Sequence, residues 1–167
     1  MEKSVLHKSF KKILEETLKI LKNYYGERLV SVVVYGSVGR GTQRFDSDID
    51  LLLVVKNLPK GRFARIEEFR EIEKMLEPFL SEAETRGIYT EFSPLIKTPD
   101  EVKSGSPLFL DMIDDAKILY DKNEFFKNFL EDLRKRLNRL GARRIWLGNS
   151  WYWDLKPDYK PGEVFKI

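Results

Sequence analysis

The sequence predicts an α/β layered domain. Three observations carry this reading. Several segments space their apolar residues at helical intervals. Two short runs are so rich in β-branched residues that they suit strands buried on both faces. The two kinds of segment alternate along the chain. At 167 residues the chain is long enough for one domain with a substantial core. Strand order does not follow from the pattern.

The elements are expected in this order. Leu6, Phe10, Ile13, Leu14, Leu18 and Leu21 recur at three- and four-residue steps, so Val5–Leu21 reads as an amphipathic helix, with Gly26 closing the turn after it. Leu29–Tyr35 and Ile49–Val55 read as buried strands, broken by the glycines from Gly36 to Gly41 and by Asn57, Pro59 and Gly61. Phe63–Leu80 reads as a helix with Pro78 near its end. Ile88–Ile96 has strand character and is stopped by Pro94 and Pro99. Pro99–Glu101 could open one helix. Ser106-Pro107 opens another through about Asp115, the proline suiting its first turn. Lys117–Tyr120 reads as a short strand and Phe125–Leu140 as a final helix before Gly141. From Arg143 the chain is an aromatic, basic tail with two prolines.

Composition narrows the chemistry. With 42% hydrophobic and 34% charged residues, the chain is globular and not a disordered tail. A net charge of +3 argues against an arginine-rich nucleic-acid binder, although local patches are not averaged away. Cysteine is absent, which excludes disulfides, thiolate catalysis, zinc–cysteine sites and iron–sulfur clusters. The one histidine, His7, nearly excludes histidine triads and multi-histidine metal sites; it lies on a helix that reads as structural and is given no role. Any metal must then be held by oxygen, which points to magnesium or manganese. No run of about 18 apolar residues occurs, so no membrane span is expected. The first twelve residues lack a signal-peptide apolar region, and the expected location is cytoplasmic.

The informative stretch runs from Tyr35 to Val55. A buried strand ends in Gly36-Ser37, more glycine follows at Gly39 and Gly41, and a second strand opens with Asp48-Ile49-Asp50. Small residues at Gly36, Ser37 and Gly41 let backbone amides approach anionic oxygens, and the Ser37 hydroxyl adds a donor. A short helix starting near Val38 would aim its first amides at the same anion. Arg40 and Arg44 can neutralise further charge, so the loop suits a nucleoside triphosphate. Asp48 and Asp50 are two apart on a strand and project from one face, with Ile49 and Leu51 on the other. Two such carboxylates repel unless a cation or proton lies between them, and a divalent metal supplies that compensation. Either feature alone has an ordinary explanation: a turn, or a solvated strand edge. Their succession between two buried strands does not, because unpaired carboxylates beside such a strand are costly.

On these residues the chain resembles the DNA polymerase beta-like nucleotidyltransferase superfamily. Gly36-Ser37, ten intervening residues and Asp48-X-Asp50 match its signature. Gly39-Arg40-Gly41-Thr42 and Ser47–Leu51 are most similar to its small stand-alone members. The resemblance is clear over Leu29–Val55, extends to about Asp121, and leaves the tail uncovered. Residues 1–141, ending in a C-terminal helix, are expected as the nucleotidyltransferase domain, with the aromatic, basic tail 142–167 packed on it; the resemblance itself implies a mixed β-sheet flanked by helices. It implies transfer of a nucleoside monophosphate, AMP from ATP, to an acceptor hydroxyl, with Gly36-Ser37 on the phosphates and Asp48 and Asp50 as magnesium ligands. Members of this type resemble the antitoxin half of toxin–antitoxin pairs, which implies a helical toxin-like partner as acceptor. The family commonly has a third acidic residue on a later strand. Glu91 is the candidate for catalysis and metal binding, and an exposed edge-strand glutamate, as Pro94 suggests, fits it equally well. Asp46 and Glu84 are weaker candidates.

Between Leu133 and Trp153 stand Arg134, Lys135, Arg136, Arg139, Arg143 and Arg144, no acid, and three tryptophans. Such a tail can bind RNA or a base. The preferred reading is a solvated basic helix face and tryptophans packed on the domain. Asp114-Asp115 is expected to end a helix and not to form a metal pair, since adjacent residues face apart. A second reading of the whole chain is a catalytically degenerate domain that holds a protein or RNA partner. The oligomeric state is not readable.

Overall fold

The computed structural model describes residues 3–148 and 150–167. Four strands form the central sheet: β1 (Leu29–Tyr35), β2 (Ile49–Val55), β3 (Phe92–Lys97) and β4 (Lys117–Asp121), in the order β3-β2-β1-β4. β1 is antiparallel to both β2 and β4, whereas β2 and β3 are parallel, so the sheet is mixed. The helices are α1 (Lys3–Tyr25), α2 (Gly36–Arg40), α3 (Arg62–Glu84), α4 (Pro99–Lys103), α5 (Leu108–Asp115) and α6 (Phe125–Leu140). β5 (Arg143–Leu147) and β6 (Ser150–Asp154) make a separate antiparallel hairpin. The expected mixed sheet flanked by helices is the observed architecture.

Alternation along the central strands divides the core in two. Val32, Val34, Ile49, Leu51 and Leu53 face α1 and α3, meeting Phe10, Ile13, Phe69, Ile72 and Leu76. Val33, Leu52 and Val54 face the other way, against Phe109 and Met112 of α5 and Phe126 and Leu133 of α6. Both faces are covered, which is why the two central strands carry almost no polar residue. Apart from Tyr35 and Asp50 at one end of the sheet, the exception is Ser31, which donates to the Asp121 carboxylate at 2.6 Å; Asp121 also accepts from the Phe126 and Lys127 amides and so satisfies the first turn of α6.

Some boundaries differ from expectation for identifiable reasons. α3 continues through Pro78 to Glu84. β3 begins only at Phe92 and includes Pro94, which an edge strand paired on one side tolerates. In the tail, Arg143–Leu147 and Ser150–Asp154 form the β5–β6 hairpin, and Trp153 and the following Leu155 pack against the α5 half of the core. Among the described residues no helix is long and apolar enough to cross a membrane.

Candidate active site

The site forms where β1 ends and β2 begins. Tyr35 pairs with Asp50 across the two strands, so the turn after Tyr35 folds over the Asp50 side chain. Gly36 has φ +64°, and a Cβ there would lie 2.0 Å from Asp50 Oδ2. The carboxylate therefore packs directly against the backbone of the turn, and no other residue type fits between them. A Cβ on Gly39 would lie 2.5 Å from the Asp115 carbonyl oxygen and 2.9 Å from that of Val34, which seats α2 against the end of α5. Thr42 donates its amide to the Ser37 carbonyl at 2.9 Å and closes the turn.

The following loop is tied to the segment before β3. The Tyr89 amide donates to the Phe45 carbonyl, the Thr90 hydroxyl to the Ser47 carbonyl and the Ile49 amide to the Glu91 carbonyl, each at 2.8 Å. These bonds fix the start of β2 and hence the two aspartates. Asp50 is half-buried and Asp48 exposed. Burial chiefly, and then the charge of Asp48, push the Asp50 carboxyl above its ordinary range, with Arg40 opposing. Tyr35, beside it, is pushed up to about 12 by burial and then by the Asp50 charge. Two oxygen-donor side chains with uncompensated mutual repulsion suit a hard divalent cation such as magnesium.

The expected residues are placed as follows. Gly36 packs on Asp50, Ser37 is next in the same turn, and Asp48 lies near enough for its charge to act on Asp50. Arg44 is largely exposed, 3.5 Å from Asp46. Gly41 ends α2 in the left-handed region, and His7 of α1 lies beside it, its Nε2 4.0 Å from where a Gly41 side chain would begin. Glu91 is exposed, and its charge acts on Glu73 of α3, helping to raise that carboxyl. Among the described residues no three Asp, Glu or His side chains gather closely enough to hold a metal ion.

Arg40 points elsewhere than the loop motif suggested. It pairs with the buried Asp115 at 3.2 Å, and Asp115 also receives Arg144 of β5 at 2.9 and 3.3 Å. The Arg144 guanidinium lies 4.0 Å from the Trp151 ring centre and 4.7 Å from that of Trp146, and Arg40 lies 5.1 Å from Trp151. The Trp151 and Trp153 indoles both donate to Asp111 of α5, at 2.7 and 3.1 Å. Sequence reasoning assigned nothing to Asp111 and saw Asp115 only as the end of a helix. Its one relevant signal was an acidic end to α5 opposite, in charge, the acid-free stretch from Leu133 to Trp153.

Comparisons with known proteins bear on the family. Residues 14–105 match the family model described as a nucleotidyltransferase domain. A relative from Methanocaldococcus jannaschii named "Putative protein adenylyltransferase" is 36% identical over 135 residues, covering 80% of this chain and 86% of its own. Among solved structures, a toxin–antitoxin crystal structure with AMP-PNP aligns with a TM-score of 0.49 and 17% identity, covering 75% of this chain and 87% of the other. A complex of tri-AMPylated Shewanella oneidensis HEPN toxin with MNT antitoxin aligns at 0.46 and 14%, covering 78% and 87%. With more than half its length matched by the family model, and a relative of that identity over most of its length, this chain belongs to the nucleotidyltransferase domain family.

Proposed function

We propose that the chain transfers AMP from ATP to a hydroxyl group on a separate protein, the hydroxyl oxygen bonding to the α-phosphorus as pyrophosphate leaves, with magnesium held by Asp48 and Asp50. The observation that carries the reading is the packing of the Asp50 carboxylate against Gly36, which supports a metal ligand at Asp50 beside a turn suited to phosphate oxygens. The bound metal would neutralise triphosphate charge and favour the ionised form of the attacking hydroxyl. The chain's own residues do the rest. The Gly36-Ser37 turn, closed by Thr42, presents a hydroxyl donor that makes no hydrogen bond to another described residue. Its rigidity orients the triphosphate, and catalysis is mainly positioning and charge stabilisation. Arg44, exposed and loosely paired, can reach the phosphates by rotating its side chain. Arg40 does so only by exchanging Asp115 for the ligand. Glu91 serves as a third carboxylate only if its exposed side chain turns toward Asp48. The protein acceptor is supported by the name of the Methanocaldococcus relative. A helical toxin-like protein is the acceptor to test first.

The test is incubation with labelled ATP, magnesium and candidate acceptors, a small helical protein encoded beside this chain foremost. Label should pass to a protein hydroxyl. Asp48→Asn and Asp50→Asn should each cut transfer by at least about a hundredfold. Because Asp50→Asn removes a repelled, half-buried charge, its thermal midpoint should be unchanged or higher. Undiminished transfer by either variant would sink the mechanism, and magnesium-independent ATP binding without transfer would favour the degenerate, partner-holding reading.

A further inference from the structure

A cavity of about 600 Å³ opens at the opposite end of the sheet from Asp50. Its wall includes Val30, near the start of β1, and Lys56, just past β2. Tyr35 and Gly36 lie five and six residues further along, roughly 15–20 Å away at about 3.3 Å per residue. The cavity is therefore separate from the aspartate pair.

Its lining is strongly cationic. Lys56, Lys103, Lys122 and Arg136 contribute positive charge, against one carboxylate, Asp132. Among the described residues no carboxylate lies within 4 Å of the charged end of Lys56 or Arg136. The other two have weak partners: Lys122 pairs with Glu27, 96% exposed, and Lys103 stands 3.9 Å from Asp100, 94% exposed. Such solvated pairs hold little energy and yield readily to a competing anion. The floor is apolar, built from Val30, Phe125 and Phe129. One rim is strained as well: Asn123 and Glu124 are consecutive non-glycine residues with φ of +55° and +54°. A smaller cavity of about 280 Å³ shares Lys103, Phe129 and Arg136 and continues over Pro107 and Leu110, giving an apolar moiety further room.

We infer that this cavity binds a phosphorylated small molecule of nucleotide size, its phosphates on Lys56, Lys122 and Arg136 and its flat, less polar part against Phe125 and Phe129. Volume, charge and floor together fit that class: pockets for such ligands run to roughly 300–1,000 Å³ and combine apolar walls with a few fixed polar groups. The site lies outside the transfer reaction and does not depend on it.

Amide NMR of the full chain tests the inference, with magnesium removed by chelation to weaken binding at the aspartates. ATP should shift the Lys56, Asn123, Phe125, Asn128 and Arg136 amides saturably. Inorganic tripolyphosphate should shift the same amides with several-fold weaker affinity, because it lacks a base for the phenylalanines. The double variant Lys56→Gln/Arg136→Gln, altered only at the cavity wall, should bind ATP there about tenfold more weakly. The same variant should keep magnesium-dependent ATP shifts at Gly36–Gly41. Shifts confined to Gly36–Gly41, non-saturating shifts spread over the basic surface, equal affinity for the two probes, or an unaltered double variant would each overturn the assignment.

Discussion

At the residue scale, the site depends on one contact that a glycine makes available. The Asp50 carboxylate occupies the space a Gly36 side chain would need, and the positive φ at Gly36 adds a conformation that other residues resist. Gly36→Ala must therefore move the turn or the aspartate. The strain should cost about 1–3 kcal/mol of stability. Because the displaced group is a proposed metal ligand, magnesium-dependent ATP binding should fall more sharply than stability does. Urea unfolding and calorimetry on the same variant separate the two effects; a variant with normal binding would show that the contact positions nothing. Much at this scale was legible in the sequence, because Gly36-Ser37 and Asp48-X-Asp50 lie within one short segment. The partners of Arg40 were not. Asp115 is 75 residues distant, and no local pattern announces a pairing across the fold.

At the element scale, two small devices hold the second face of the sheet. α4 opens with a capping box: Thr98 accepts from the Glu101 amide, while the Glu101 carboxylate accepts from the Thr98 amide. The same carboxylate makes two bonds to Arg65 of α3, at 2.7 and 3.0 Å, and that guanidinium chiefly, with the Thr98 amide's help, lowers its pKa from 4.5 to about 2. In the unfolded chain Glu101 binds its proton near pH 4.5; in the folded chain it does so only near 2. Its contribution is thus fully present above about pH 4.5 and disappears as the pH falls through 2. Glu101→Gln should flatten the acid limb of the stability curve in that window, and an unchanged limb would mean that the pair is solvent-screened to nothing. The other device is the β5–β6 hairpin. Arg144 is only 10% exposed and shares the buried Asp115 with Arg40. Arg144→Ala should cost about 3 kcal/mol, tempered by the Arg40 pair that remains, and should loosen α2. The helices and central strands were readable because their periodicity is strong. The hairpin was not, because polar and apolar residues do not alternate cleanly along Arg143–Leu147, and its turn signal, Gly148-Asn149 in the sequence, was read as tail.

At the scale of the whole molecule, the two faces of the sheet are stabilised differently. α1 and α3 cover one face with long amphipathic helices and need little else. The other face is covered by two shorter helices, and the acidic residues of α5 are satisfied by the hairpin: Asp111 by two indoles, Asp115 by Arg144. The sequence pattern showed the first face, since it resides in local periodicity. It could not show that the second is completed by residues up to 42 positions further on. The asymmetry makes a prediction about a chain ending at Ala142. The four-stranded sheet and both of its core halves would remain, so this shorter chain should still fold. It would leave Asp111 without its indole donors and Asp115 with Arg40 as its only ion-pair partner among the described residues, and it would uncover apolar surface beneath Trp153 and Leu155. Breaking a buried pair of this kind costs about 3–5 kcal/mol, a large share of the roughly 5–15 kcal/mol that hold a domain together. Urea unfolding should show that loss. With Arg144 gone, Arg40 would gain the whole of Asp115, holding α2 by a single pair. Affinity for magnesium-ATP should then fall beyond what the lower folded population explains, measured at a temperature where both chains are folded. Equal stability of the two chains would show that the hairpin merely rests on the domain. A stability loss with unchanged nucleotide affinity would confine its role to the fold and detach it from α2.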